Sequence, residues 1–138
     1  MPEPRPPMVV SLTWDEDLRF TGHSGPLTLA LDGNGRAAPS PMHALAFALG
    51  GCMAVDVVNI LRRGRHPLQA LDATFTGQRA AGPPARFTAI DLRYRITGEV
   101  PPAAVERAIE LSREKYCSVW HSLREDIAFT TSYEIQPG

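Results

Sequence analysis

The chain has 138 residues, 43% of them hydrophobic and 21% charged, with a formal net charge of -1. That length supports one domain with a real core and leaves no room for two independent ones. The near-neutral balance and scattered arginines argue against nucleic acid as a partner, and two cysteines are too few for a disulfide scaffold. The first residues, MPEPRPPMVV, hold four prolines and no basic segment before an apolar core. They read as an extended or flexible arm over 1–7, not as a signal peptide. Met8–Trp14 and Leu18–Gly22 are short β-rich runs around the charged turn Asp15-Glu16-Asp17, a hairpin pattern. Pro26–Asp32 adds a third strand, closed by the turn signal Gly33-Asn34-Gly35. Ser40-Pro41 starts a helix over Met42–Arg63, since serine caps orphan amides and proline fits the first turn. Its residues are apolar on more than one face, so the helix is expected to be central and covered on several sides, partly by a second subunit in a homodimer. Asp56, Asn59 and the central glycines argue against a membrane span.

Leu68–Ala80 and Arg86–Gly98 alternate polar and apolar residues around Gly82-Pro83-Pro84. In the second run Ile90, Leu92, Tyr94 and Ile96 share one parity, the mark of a half-buried antiparallel strand. Pro101-Pro102 opens a second helix over Ala103–Arg124, with Val105, Ile109, Ser112, Tyr116, Val119 and Leu123 on one face. Ile127–Ile135 returns to period two as a last strand. The order is β-β-β-α-β-β-α-β, an α/β (α+β) domain spanning 1–138.

The chemistry centres on Cys52 and Cys117, 65 positions apart and each within an expected helix. A cysteine in an apolar helix is usually a small hydrophobe. Cys52, however, follows Gly50-Gly51, where each glycine costs roughly 1 kcal/mol of helix propensity against alanine. Such glycines make sense if something approaches the backbone beside the thiol. Two thiols in a reducing, cytoplasmic compartment are more readily reactive than structural, and crossing helices would bring them within disulfide reach. Asp56, one turn after Cys52, opposes thiolate formation unless a cation offsets it; Arg19 in the second strand is a candidate. Asp56 could instead hold a backbone or an arginine in place. Trp120 and His121 follow Cys117 by three and four residues, so either can lie beside its sulfur. His43 sits in the first helical turn, able to line a cleft or cap the helix, and Phe47 could supply an apolar wall. Local spacing shows no Cys-x-x-Cys and no zinc-like cluster, and no metal or organic cofactor is expected.

Two motifs carry a family resemblance. Ser40-Pro41-Met42, Ala48-Leu49-Gly50-Gly51-Cys52 and Asp56-Val57-Val58 resemble the first cysteine helix of the OsmC/Ohr superfamily. Val105-Glu106-Arg107-Ala108-Ile109 and Glu114-Lys115-Tyr116-Cys117-Ser118-Val119 are similar to its second, in the manner of the small OsmC-like proteins. The resemblance implies an OsmC-like fold, two long helices packed on antiparallel sheets in an intertwined α/β homodimer, and a thiol-dependent peroxidase active in the oxidative stress response. In that chemistry Cys52 is the peroxidatic thiol, Cys117 resolves it as an intramolecular disulfide, and an external dithiol or lipoylated protein is the reductant. The superfamily's peroxidases place a glutamate just after the helix-opening proline, paired with an arginine from an amino-terminal strand. Here Met42-His43 stands in that stretch, with Arg19 near the arginine's place. The other reading the resemblance allows is a dimer with little peroxidase activity that binds a small apolar ligand or acts as a slow redox sensor.

Overall fold

The structure, a computed structural model, describes residues 2–138; residue 1 of the expected arm lies outside the described residues, and 2–10 form no regular element. The chain divides into two compact units, Met1–Leu45 and Ala46–Gly138. The first holds the antiparallel sheet β1 (Ser11–Glu16), β2 (Arg19–Ser24) and β3 (Leu27–Asp32), in that spatial order. Asp17, at positive φ, and Leu18 make the tight hairpin turn, while Asp15 and Glu16, expected in the turn, belong to β1. Register puts Trp14 opposite Phe20, Phe20 opposite Leu31 and Gly22 opposite Leu29. Because side chains alternate across a sheet, Leu12, Trp14, Phe20, Leu27, Leu29 and Leu31 share one face. Five of those six are exposed, so this face has no cover within its own unit. After β3 the buried Asp32 carboxylate accepts from the amides of Asn34, Arg36 and Ala37, and these bonds hold it below the usual carboxylate range.

Helix α1 spans Pro41–Arg63 and is the long apolar helix the sequence announces. Its start is a reciprocal cap. Ser40 Oγ accepts from the His43 amide at 3.1 Å, while His43 Nδ1 accepts from the Ser40 amide at 3.2 Å. His43 does here what the glutamate of a capping box does. By length and composition α1 could cross a membrane. It is instead built into a core: Leu49, Met53, Val57 and Leu61, spaced four apart, are fully buried. Each such side chain contributes roughly 1.5–3 kcal/mol by leaving water. The expectation of cover on several sides is not met within the chain, since one stripe is buried while Phe47 is 70% and Val55 67% exposed.

The second unit's sheet has the order β4-β5-β6, with β4 at Leu68–Arg79, β5 at Phe87–Gly98 and β6 at Ala128–Gln136. β4 and β5 are antiparallel, but β6 runs parallel to β5, so the sheet is mixed and not purely antiparallel as expected. A parallel return needs a crossover, and the second helical segment supplies it. Ile90, Leu92, Tyr94 and Ile96 of β5 are all buried, as their shared parity requires. Leu92 lies under α1: a methyl group on Gly50 would sit 3.9 Å from its side chain.

The second helix departs from expectation. Instead of one helix over 103–124, α2 covers Pro102–Leu111, a π-turn follows at Ser112–Tyr116, and a short α3 covers Ser118–His121. The amide of Cys117 donates to the carbonyl of Ser112 at 2.8 Å, a five-residue step. That extra residue shifts the helical phase by one position. Val105, Ile109 and Ser112 face inward as their spacing predicts. Tyr116, the next residue on an uninterrupted α-face, is 50% exposed, and Cys117 takes the buried place.

Candidate functional site

Cys52 lies in the middle of α1, half-buried, one turn before Asp56. Cys117, fully buried, stands at the break between the π-turn and α3 with an extended backbone (φ -73, ψ 97). It is therefore not a mid-helix residue. The break brings it to Cys52: the two Sγ atoms and a carboxylate oxygen of Asp56 all lie within 4.8 Å of one another, and both thiols are free.

Ser112 completes the cluster. Its hydroxyl, fully buried, donates to Asp56 Oδ2 at 2.7 Å and ties α1 to the π-turn. The partner that the sequence left open for Asp56 is thus a serine of the same chain. Cys117 caps α3, its sulfur accepting the Trp120 amide at 3.3 Å. Burial dominates over that bond, and with the neighbouring Cys52 and Asp56 it pushes the Cys117 thiol up to about 11. A neutral thiol is what this pocket holds at physiological pH. Tyr94 is likewise fully buried, with its hydroxyl unpaired among the described residues. Burial first, then the charges of Cys117 and Asp56, drive its ionisation far upward.

The other named residues take different places. Trp120 meets the Cys117 sulfur through its backbone, while its indole packs on Phe129 at 4.5 Å between centroids. His121 turns away, its Nε2 against the Arg113 carbonyl at 2.9 Å. Phe47 is exposed on α1. His43 is engaged with Ser40, Oγ to Nδ1 at 2.8 Å. In the first unit Arg19 already has a carboxylate, Glu16, at 3.0 Å, and stands opposite Asp32 across the sheet.

The two glycines before Cys52 also differ from expectation. A methyl group at Gly51 would have nothing within 4 Å, and one at Gly50 would make ordinary contacts. Among the described residues nothing crowds the backbone beside the thiol. Sequence reading missed Ser112 and Tyr94 as members of the site. Tyr94 was legible as buried from its parity, but not as an unpaired hydroxyl, and Ser112 was legible as inward-facing, but not as the partner of Asp56.

Known proteins give this arrangement a family. Residues 32–132 match the family model described as OsmC-like protein. The chain is 42% identical to protein YhfA of Escherichia coli K12 over 131 residues, 93% of this chain and 98% of that one. Its fold matches a hypothetical protein of Aquifex aeolicus at a TM-score of 0.89, with 25% identity and 97% and 99% of the two chains covered. It also matches an organic hydroperoxide resistance protein of Legionella pneumophila at a TM-score of 0.70, 16% identical over 96% and 99%, a likeness of fold alone. With most of its length and both cysteine motifs inside that match, the chain belongs to the OsmC-like protein family.

Proposed function

We propose that this chain is a thiol-dependent peroxidase that reduces organic hydroperoxides, acting in the cytoplasm as a homodimer of single OsmC-like domains spanning 1–138. The observation that carries this reading is the convergence of Cys52 and Cys117, remote in sequence, to within 4.8 Å. Relatives of the same fold include a protein named for organic hydroperoxide resistance. In the reaction the Cys52 thiolate attacks the terminal peroxide oxygen, the O–O bond breaks, and the alcohol leaves with a proton. Cys52 is left as a sulfenic acid. Cys117 then attacks that sulfur, the S–S bond forms, the S–O bond breaks, and the Cys117 proton leaves with the hydroxyl as water. An external dithiol or lipoylated protein reduces the disulfide and is itself oxidised to one.

The division of roles follows the environments. Cys52 is the more accessible thiol, and the buried Cys117 waits protonated. Arg19 is the cation we assign to support the Cys52 thiolate against Asp56. The uncovered apolar face of the first sheet and the exposed Phe47 and Val55 of α1 support assembly with a second copy. Steady consumption of cumene hydroperoxide with a small dithiol, lost in Cys52→Ser, is the expected result. Equal consumption by Cys52→Ser and wild type would overturn the assignment.

A second reading is favoured by one feature: where the peroxidases carry a glutamate, His43 is committed to capping Ser40, and Arg19 is committed to Glu16. On that reading the dimer has little peroxidase activity and is a slow redox sensor or binds a small apolar ligand. An open groove of about 790 Å³ along α1, lined by Ala54, Val55, Val58 and Leu71 together with Asn59, Arg62 and Arg63, offers a place for an apolar ligand that also carries a polar or anionic end. His43→Glu separates the two readings, because glutamate preserves the cap. A faster hydroperoxide reaction in His43→Glu, lost again on adding Arg19→Ala, supports the peroxidase site; an unchanged slow rate supports the second reading.

A further inference from the structure

The cluster at the meeting of α1 and the π-turn holds more than a dithiol. Cys52 Sγ, Cys117 Sγ and an oxygen of Asp56 form a triangle with no edge longer than 4.8 Å. Tetrahedral zinc, with Zn–S near 2.3 Å and Zn–O near 2.0–2.2 Å, needs edges of roughly 3.6–3.8 Å between such ligands. Small side-chain rotations span the difference. The donor set of two sulfurs and one carboxylate oxygen is soft enough to prefer zinc over magnesium or calcium.

A second observation concerns the carboxylate. The buried Ser112 hydroxyl donates to Asp56 Oδ2 at 2.7 Å and fixes the carboxylate's orientation. Carboxylate ligands of metal sites are oriented by outer hydrogen bonds of this kind. All three donors and Ser112 belong to the second unit, and the helical break that sets Cys117 inward is what closes the triangle. We propose that the reduced protein binds one zinc ion per chain through Cys52, Asp56 and Cys117, with a fourth position open to water or an exogenous thiol. On binding, two Zn–S bonds form and two S–H bonds break, and the two protons go to solvent; zinc stays divalent. A disulfide between Cys52 and Cys117 removes both thiolates, so metal and disulfide are alternative states of one pair. This holds whether or not the pair reduces peroxides.

Cobalt(II) is the probe, added anaerobically to the full chain after chemical reduction. Expected are thiolate-to-cobalt charge-transfer bands in the near ultraviolet and tetrahedral bands in the visible. They saturate at one cobalt per chain and are bleached by zinc. Protein oxidised with diamide should show none of them. Cys52→Ser and Cys117→Ser should lose most of the charge-transfer intensity. Asp56→Asn should weaken binding at least tenfold, and Ser112→Ala, acting through Asp56, by about 10–100-fold, with folding checked by circular dichroism. A reduced, folded wild-type protein without charge-transfer bands overturns the proposal. So does an Asp56→Asn variant that binds cobalt as tightly as wild type. No hydroperoxide enters the experiment, so failure here is separate from failure of the peroxidase reading.

Discussion

The two helical segments that carry the cysteines are built differently, and the difference gives the two thiols unlike surroundings. Helix α1 runs unbroken for 23 residues and leaves Cys52 half-buried on a regular face. The second segment breaks at Ser112–Tyr116, and only the break turns Cys117 into the core. A regular helix presents a thiol to visitors; an interrupted one aims a thiol at a fixed neighbour. Without the extra residue, Tyr116 would point inward and Cys117 would sit about 100° around the helix axis, away from Cys52.

The sharpest way to break this contrast is to shift the phase that the π-turn sets. Inserting one alanine after Lys115 moves Cys117 to six positions after Ser112 and rotates it about 100° off the Cys52 side. Diamide oxidation followed by thiol counting should show a disulfide in wild type and two free thiols in the insertion variant, with helicity by circular dichroism retained. A disulfide formed equally well in the variant would show that the π-turn does not set the geometry.

A smaller effect separates the two thiols by environment. In Cys52→Ser, Cys117 remains buried and its ionisation stays raised, so alkylation by iodoacetamide should be slow at pH 7. The rate should climb about tenfold per pH unit through pH 10, because only the thiolate reacts. In the mirror variant, Cys117→Ser, the accessible Cys52 should be alkylated faster at pH 7. The same shift bears on stability. An unfolded cysteine ionises near 8.5, and the folded Cys117 near 11, so between these values the unfolded state has lost the proton that the native state keeps. Unfolding free energy from urea titration should therefore fall as pH rises from about 8.5 toward 11, and the fall should shrink in Cys117→Ser.

How much of this was legible in the sequence follows from what each feature depends on. Period-two runs placed β4, β5 and the buried set Ile90, Leu92, Tyr94 and Ile96, because burial on one sheet face writes itself directly into alternation. Ser40-Pro41 placed the start of α1 within one residue, at Met42 against the observed Pro41, since capping is local chemistry. The parallel pairing of β6 was not legible, because short apolar runs do not record which way a neighbour runs. Nor was the π-turn, as its residues Ser112-Arg113-Glu114-Lys115-Tyr116 are ordinary for a helix and only packing selects the irregular turn. In the candidate site, Cys52, Asp56 and Cys117 were named from their motifs and the fold draws them together. Ser112 needed coordinates because its partner Asp56 comes from a segment remote in sequence, and Tyr94 because alternation shows burial but not an unpaired hydroxyl.

The smallest expected effect lies at the glycines. Neither Gly50 nor Gly51 is crowded within the chain, so alanine at either should raise monomer helix stability by up to about 1 kcal/mol. If a second copy packs against the open backbone at Gly51, Gly51→Ala should weaken the dimer in sedimentation equilibrium while Gly50→Ala leaves it unchanged. Identical dimerisation in both variants would remove Gly51 from the interface.

The central claim is that Cys52 and Cys117 are a working pair, and one measurement addresses it most directly. Reduced protein is mixed with one equivalent of an organic hydroperoxide, quenched with an alkylating agent, digested with trypsin and analysed by mass spectrometry. The expected product is a single disulfide joining peptides 37–62 and 116–124 within one chain, formed with loss of both free thiols. Two alkylated cysteines with the hydroperoxide unconsumed, or an over-oxidised Cys52 beside an intact Cys117 thiol, would contradict it.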